Sequence, residues 1–134
     1  MRLLLDTHIL LWAAGAGPDA KDLGELPAAA EQLILDPHNE LIFSAASIWE
    51  VAIKASLGRN DFRADAHMLR QGLIENGYEE LPITGAHAAA VSQLPPIHKD
   101  PFDRLLVAQA TAEGLTLLTA DAIVSTYPGP IRGV

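Results

Sequence analysis

Residues 2–6, Arg2-Leu3-Leu4-Leu5-Asp6, set a carboxylate directly after a run of three leucines. A run so short and so apolar reads as a strand buried on both faces, ending at the acid. Thr7 to Ala14 then follows helical periodicity, with Leu10, Leu11 and Trp12 among its apolar members, and Gly15 to Pro18 breaks it. Leu115 to Leu118 repeats the pattern as a second apolar strand, with Asp121 three residues beyond Leu118. In an open parallel sheet, ligands bind beyond the carboxyl ends of the strands. If these two strands are neighbours, Asp6 and Asp121 share one crevice.

The intervening sequence alternates helices with short strands. Pro27 to Leu35 reads as a helix with proline in its first turn, and Asp36 to Asn39 as a turn. Leu41-Ile42-Phe43 is a strand, and Ser47 to Leu57 a helix stopped at Gly58. Asp65 to Glu75 is a further helix. Glu80 to Ile83 is a strand that its proline directs to a sheet edge. Thr84 to Gln93 is an alanine-rich helix, and Pro101 to Glu113 the clearest helix of the chain. Ile131-Arg132 offers a last short strand. This alternation predicts an α/β domain with a mostly parallel sheet.

The 134 residues suit one domain, residues 1–134, and 49% apolar content supplies a core. The absence of cysteine excludes a disulfide scaffold, a zinc–thiolate site and thiol catalysis. No apolar run approaches the ~20 residues of a membrane span, and Asp6 comes too early for a signal peptide. The expectation is a soluble cytoplasmic protein with no membrane partner. A net charge of −8 argues against holding nucleic acid on a broad basic face. It leaves open an enzyme that meets phosphate through a cation held by acids.

The acids fall at element boundaries. Besides Asp6 and Asp121, Glu50 lies in the first turns of its helix, and Asp100 and Asp103 open the helix before Leu115. Each has a structural reading. Ser47-Ile48-Trp49-Glu50 matches a capping box. Asp100-Pro101-Phe102-Asp103 resembles an N-cap with a first-turn proline. Asp121 could cap a short turn. Asp6 is hardest to explain that way, because a carboxylate beside three leucines is desolvated without a partner. Together, acids at matching boundaries favour one shared site. Converging carboxylates repel, and oxygen ligands without Cys or paired His select a hard ion, Mg²⁺ or Mn²⁺. None of His8, His38, His67, His87 and His98 has an HxH or HxxxH partner, which disfavours zinc. His8 and His98 adjoin the acidic motifs, and the reading favours surface or packing roles for both. Thr7 and Thr119 stand beside Asp6 and Asp121 and can orient a carboxylate or hold a water. Ser44 could do the same or cap a helix. Lys54, Arg59, Lys99 and Arg104 lie near the motifs and could meet phosphates, with ordinary surface roles favoured for Arg59 and Lys99.

These segments resemble the PIN-domain nucleases, and within them the VapC-type toxins of bacterial and archaeal toxin–antitoxin pairs. The resemblance runs through Leu3-Leu4-Leu5-Asp6-Thr7-His8 and Ser44-Ala45-Ala46-Ser47-Ile48-Trp49-Glu50 with Lys54. It continues through His98-Lys99-Asp100-Pro101-Phe102-Asp103-Arg104 and ends at Leu118-Thr119-Ala120-Asp121. It implies a three-layer α/β/α domain with a parallel sheet of about five strands in order 3-2-1-4-5. It also implies metal binding by Asp6, Glu50, Asp103 and Asp121, with Asp100 a supporting carboxylate or a cap. The expected activity is hydrolysis of RNA with one or two Mg²⁺ ions, Mn²⁺ being the alternative. Lys54 and Arg104 are the expected substrate contacts. The expected partners are an antitoxin wrapped over helices near residues 7–76 and a second copy of the chain. The apolar group at Ile9, Leu10 and Trp12 fits either a partner surface or core packing.

Rival readings are weaker. Haloacid-dehalogenase-like phosphatases need a second Asp two residues after the first, where this chain has His8. Response-regulator receivers need an acidic pair before the phosphorylated Asp, and no GxxxxGK[ST] loop occurs. A catalytically silent PIN-fold interaction domain is the alternative from outside the enzymes.

Overall fold

The computed structural model describes residues 1–14, 26–58 and 64–134. The elements are β1 (Arg2–Leu5), α1 (Thr7–Ala13), α2 (Ala28–Leu35), β2 (Glu40–Ser44), α3 (Ala45–Ser56), α4 (Ala66–Glu75), β3 (Glu79–Leu81), α5 (Gly85–Ala90), α6 (Pro101–Glu113), β4 (Thr116–Thr119) and β5 (Ile131–Gly133). The five strands form one parallel sheet in the order β3-β2-β1-β4-β5, as the resemblance implies. β1 is central, with Leu3 opposite Leu41 on one side and Thr116 on the other.

Apolar residues divide by strand alternation. Leu3, Leu5, Phe43 and Leu118 join Ile9, Leu10, Leu11, Val51, Leu69 and Leu73 in one buried cluster. Leu4, Ile42 and Leu117 join Leu105, Leu106, Val107 and Ala110 in the other. Successive side chains of a strand point to opposite faces, so an unbroken leucine run is what a sheet covered on both sides needs. Helices α1, α2 and α4 contribute to the first cluster and α6 to the second, which gives three layers. Ile9 and Leu10 are fully buried, which resolves that apolar group toward core packing; Trp12 packs against the same cluster.

Local chemistry corrects several boundaries. α3 starts at Ala45, not Ser47, because the Ser44 hydroxyl accepts the Ala46 N–H at 3.0 Å and caps the helix. The capping box expected over Ser47–Glu50 is therefore absent, and both residues are buried within the helix. The strand expected over Glu80–Ile83 runs over Glu79–Leu81, so the proline falls just outside it, at the sheet edge. The alanine-rich helix is α5, capped by Thr84 and continued by a 3₁₀ turn over Val91–Gln93. α6 closes on Gly114, whose φ of +67° is the left-handed conformation a helix C-terminus favours in glycine. The Gly15–Pro18 break and Arg59 lie outside the described residues.

Candidate active site

β1 and β4 are hydrogen-bonded neighbours with Leu5 opposite Leu118, and the Asp6 N–H donates to the Leu118 carbonyl at 3.0 Å. Asp6 and Thr119 therefore emerge together at the carboxyl edge of the sheet. Asp6 caps α1, accepting the Ile9 N–H on Oδ1 at 2.9 Å. Its Oδ2 accepts the Thr119 hydroxyl at 2.5 Å. Thr119 Oγ1 in turn accepts the Asp121 N–H at 3.0 Å. Asp6 is only 5% exposed. Burial pushes its pKa up, the bonds from Thr119 and Ile9 oppose this, and the charge of Asp121 adds to the rise.

Glu50 faces the same edge from α3 and is 2% exposed. Its Oε1 accepts the Thr7 hydroxyl at 2.6 Å. Thr7 has one hydroxyl proton and the carboxylate takes it, so the Ser47 hydroxyl, 2.9 Å away, donates to Thr7. Glu50 Oε2 accepts Lys54 Nζ at 2.5 Å, and the same ammonium reaches Asp100 Oδ2 at 3.1 Å. Burial works against the Lys54 charge, yet the bonds to Glu50 and Asp100 outweigh it and raise the ammonium pKa. Burial also works against the Asp100 charge, and its bonds to Lys54, Phe102 and Asp103 leave its pKa lowered.

Asp100 caps α6, accepting the Phe102 and Asp103 N–H groups on Oδ1 at 2.8 and 3.4 Å. Asp103 stands one turn inside that helix. Its pKa is pushed up to about 8, first by burial and then by the charges of Asp100, Glu50, Asp6 and Asp121. Asp121 accepts the Ile123 and Val124 N–H groups on Oδ1 at 2.8 and 3.2 Å. The capping roles expected of Asp100 and Asp121 are found, and Asp6, for which none was expected, caps α1 as well: each caps with one oxygen and reaches a neighbouring side chain with the other.

His98 turns inward rather than lying on the surface. Its Nδ1 accepts the Asp100 N–H at 2.9 Å, so the neutral ring carries its proton on Nε2. That Nε2 lies 3.4 Å from Asp103 Oδ2 and 3.5 Å from Asp121 Oδ2. One donor atom each from His98, Asp103 and Asp121 falls within a 4.8 Å group. With the proton on Nε2, the ring serves as a donor to the carboxylates, leaving their oxygens as the atoms that could take a cation. The signal for this was local: a histidine two residues before a capping aspartate.

The donor set fits a hard divalent ion. The pKa of Asp103 is pushed up to about 8, first by burial and then by the charges of Asp100, Glu50, Asp6 and Asp121, so the group carries more negative charge than its surroundings compensate. Lys54 offsets Glu50 and Asp100. A divalent cation, if held by these carboxylates, would compensate the rest with oxygen ligands.

Of the remaining expected residues, Ser44 donates to Gln109 Oε1 at 2.5 Å and is buried behind α3. Lys99 is exposed. Arg104 departs from the expectation of a substrate contact. Its guanidinium donates to the carbonyls of Pro95 at 2.9 Å, Val91 at 3.1 Å and Leu94 at 3.5 Å, and to the Tyr127 hydroxyl at 3.1 Å. Those bonds brace the 91–95 segment and engage both terminal nitrogens of the guanidinium.

The PIN-domain family model matches residues 3–129. No curated protein sequence matches the chain. Among solved structures, VapBC2 of Rickettsia felis, bound to a DNA fragment from its promoter, matches with a TM-score of 0.67 at 16% identity, over 99% of this chain and 98% of that one. A toxin–antitoxin complex from Klebsiella pneumoniae matches with a TM-score of 0.59 at 19% identity, over 97% and 95%. VapBC-1 of nontypeable Haemophilus influenzae matches with a TM-score of 0.57 at 17% identity, over 90% and 87%. At these identities the likeness is one of fold.

Proposed function

Since this chain belongs to the PIN-domain family, we propose that it is a metal-dependent endoribonuclease, the toxin of a toxin–antitoxin pair. The observation that carries the reading is the meeting of Asp6, Glu50, Asp103 and Asp121 from four elements at the carboxyl edge of β1 and β4. These four would hold Mg²⁺, with Mn²⁺ the alternative. A bound divalent ion supplies an acidified water and neutralises charge on the phosphate. Water oxygen forms a bond to phosphorus, the phosphorus–oxygen bond to the leaving nucleoside breaks, and that oxygen takes up a proton.

The chain's own groups prepare this. Thr119 and Ile9 fix the Asp6 carboxylate, and Thr7 and Lys54 fix Glu50. Asp100 starts α6 so that Asp103 faces the crevice, and His98 steadies Asp103 and Asp121 from the other side. Charge held in place before the reaction begins is usually what contributes most to an enzyme's rate.

An antitoxin is the proposed partner, supported by the likeness to the Klebsiella pneumoniae toxin–antitoxin complex. An apolar groove of about 710 Å³, lined by Ala13, Ile34, Leu41, Met68, Leu69 and Tyr78, lies on the helices where such a partner is expected. A homodimer working in the cytoplasm completes the reading, and among the described residues no helix is long and apolar enough to cross a membrane.

The test is cleavage of a mixed RNA pool by purified protein in Mg²⁺ or EDTA, beside Asp6→Asn. Metal-dependent cleavage lost in a folded Asp6→Asn supports the reading. Absence of cleavage and of divalent-ion binding, in protein free of antitoxin, overturns it in favour of a silent interaction domain.

A further inference from the structure

Trp49 is 53% exposed although it immediately precedes the buried Glu50. Its ring meets Phe102 nearly edge to face, with centroids 5.0 Å apart and planes at 75°. Phe102 immediately precedes Asp103, and its N–H is held by Asp100 Oδ1 at 2.8 Å. Lys54 Nζ lies 5.6 Å from the Phe102 ring centroid while bonding Glu50 and Asp100. The aromatic pair is thus anchored to the carboxylate cluster through one ammonium. The half-buried Phe102 fixes Trp49, which keeps much of its surface open to solvent beside the acids.

We infer that Trp49 and Phe102 form a stacking platform that takes one unpaired base of the RNA next to the scissile phosphate. This rests on the nuclease reading and names how the substrate is held. A chain of net charge −8 gains little from phosphate contacts. Lys54 is engaged with Glu50 and Asp100, and Arg104 with backbone carbonyls. Beyond the phosphate that a bound ion would meet, affinity must then come from contacts that do not depend on side-chain cations. Stacking on an aromatic face is such a contact, and every base presents a face to it. Because a duplex keeps its bases stacked internally, the ligand class is single-stranded or loop RNA. The neighbouring position of the platform and the acids, Trp49 with Glu50 and Phe102 with Asp103, ties base capture to placement of the adjoining phosphate.

The experiment measures cleavage of single-stranded mixed-sequence RNA in Mg²⁺ by wild type, Trp49→Ala and Trp49→Phe. In parallel, fluorescence anisotropy follows binding of a labelled RNA and of an abasic oligoribonucleotide of the same length, on the Asp6→Asn background. Light scattering and circular dichroism report the assembly and fold of each variant. The expected result is a KM raised about 5- to 150-fold in Trp49→Ala with little change in kcat, and substantial recovery in Trp49→Phe. The preference for base-bearing over abasic RNA should fall by the same factor. An unchanged KM and an unchanged preference overturn the inference. So does a KM rise accompanied by loss of a dimer, which would make the face a contact between copies. If Trp49→Ala fails to fold, Trp49→Phe with Phe102→Leu carries the comparison. If wild type cleaves nothing and binds no divalent ion, the nuclease reading fails by itself, and the anisotropy arm still decides whether Trp49 stacks on a base.

Discussion

The Thr119 hydroxyl donates to Asp6 Oδ2 at 2.5 Å, joining residues 113 positions apart at the ends of adjacent strands. Thr119 Oγ1 also accepts the Asp121 N–H, so one side chain positions two of the proposed metal ligands. Thr119→Val keeps the shape and removes the hydroxyl. Groups that orient a metal ligand typically contribute 10- to 100-fold in affinity. Calorimetric titration with Mg²⁺ or Mn²⁺ should show a loss in that range. The fold should weaken by about 1–3 kcal/mol, because the buried Asp6 oxygen loses its donor.

Asp103 links stability to pH in the metal-free protein. Its folded pKa of about 8 lies above that of an unfolded aspartate, so the native state binds more protons across that interval. Stability is then highest toward pH 4 and falls as pH rises through about 8, and the raised pKa of Asp6 acts in the same direction. The lowered pKa of Asp100 acts only in more acid solution, where its contribution is lost as pH falls. Urea midpoints in EDTA should therefore drop between pH 5 and 9 by the equivalent of a few kcal/mol. Asp103→Asn should flatten most of that slope. A wild-type profile that is flat, or that rises with pH, contradicts the linkage.

Lys54 and Glu50 form a buried pair one helical turn apart. Lys54→Met removes the counter-charge from the buried Glu50 carboxyl and should destabilise the fold by about 3–5 kcal/mol. The double variant Lys54→Met with Glu50→Gln should recover much of this. A double-mutant cycle by urea unfolding, with coupling near zero, would show that the pair contributes nothing to the fold.

Much of the fold is legible in the chain because the central strands are short apolar runs separated by helical segments. The leucines at 3–5 declare burial on both sides, and the acids mark the edge at which the strands end. What local reading misses depends on contacts distant in sequence. The cap of α3 belongs to Ser44 and not Ser47 because Ser47 is drawn into the Thr7 and Glu50 cluster. His98 looks like an ordinary loop residue until the Asp100 N–H orients its ring. Arg104 looks like a phosphate contact because it follows an acidic motif, yet carbonyls at 91–95 take up its donors. Helical periodicity cannot report which face of α6 meets that segment.

Three of the clustered acids, Asp6, Asp100 and Asp121, also begin a helix or turn with one oxygen. Replacing them with alanine removes the cap at three element starts, at about 0.5–2 kcal/mol each. Asparagine keeps the accepting oxygen and removes the charge, so it is the substitution by which descent toward an inactive relative remains open. A relative with asparagine at these positions would keep the architecture and lack the charges that the proposed reaction needs. One with alanine at them would need new residues to begin those elements.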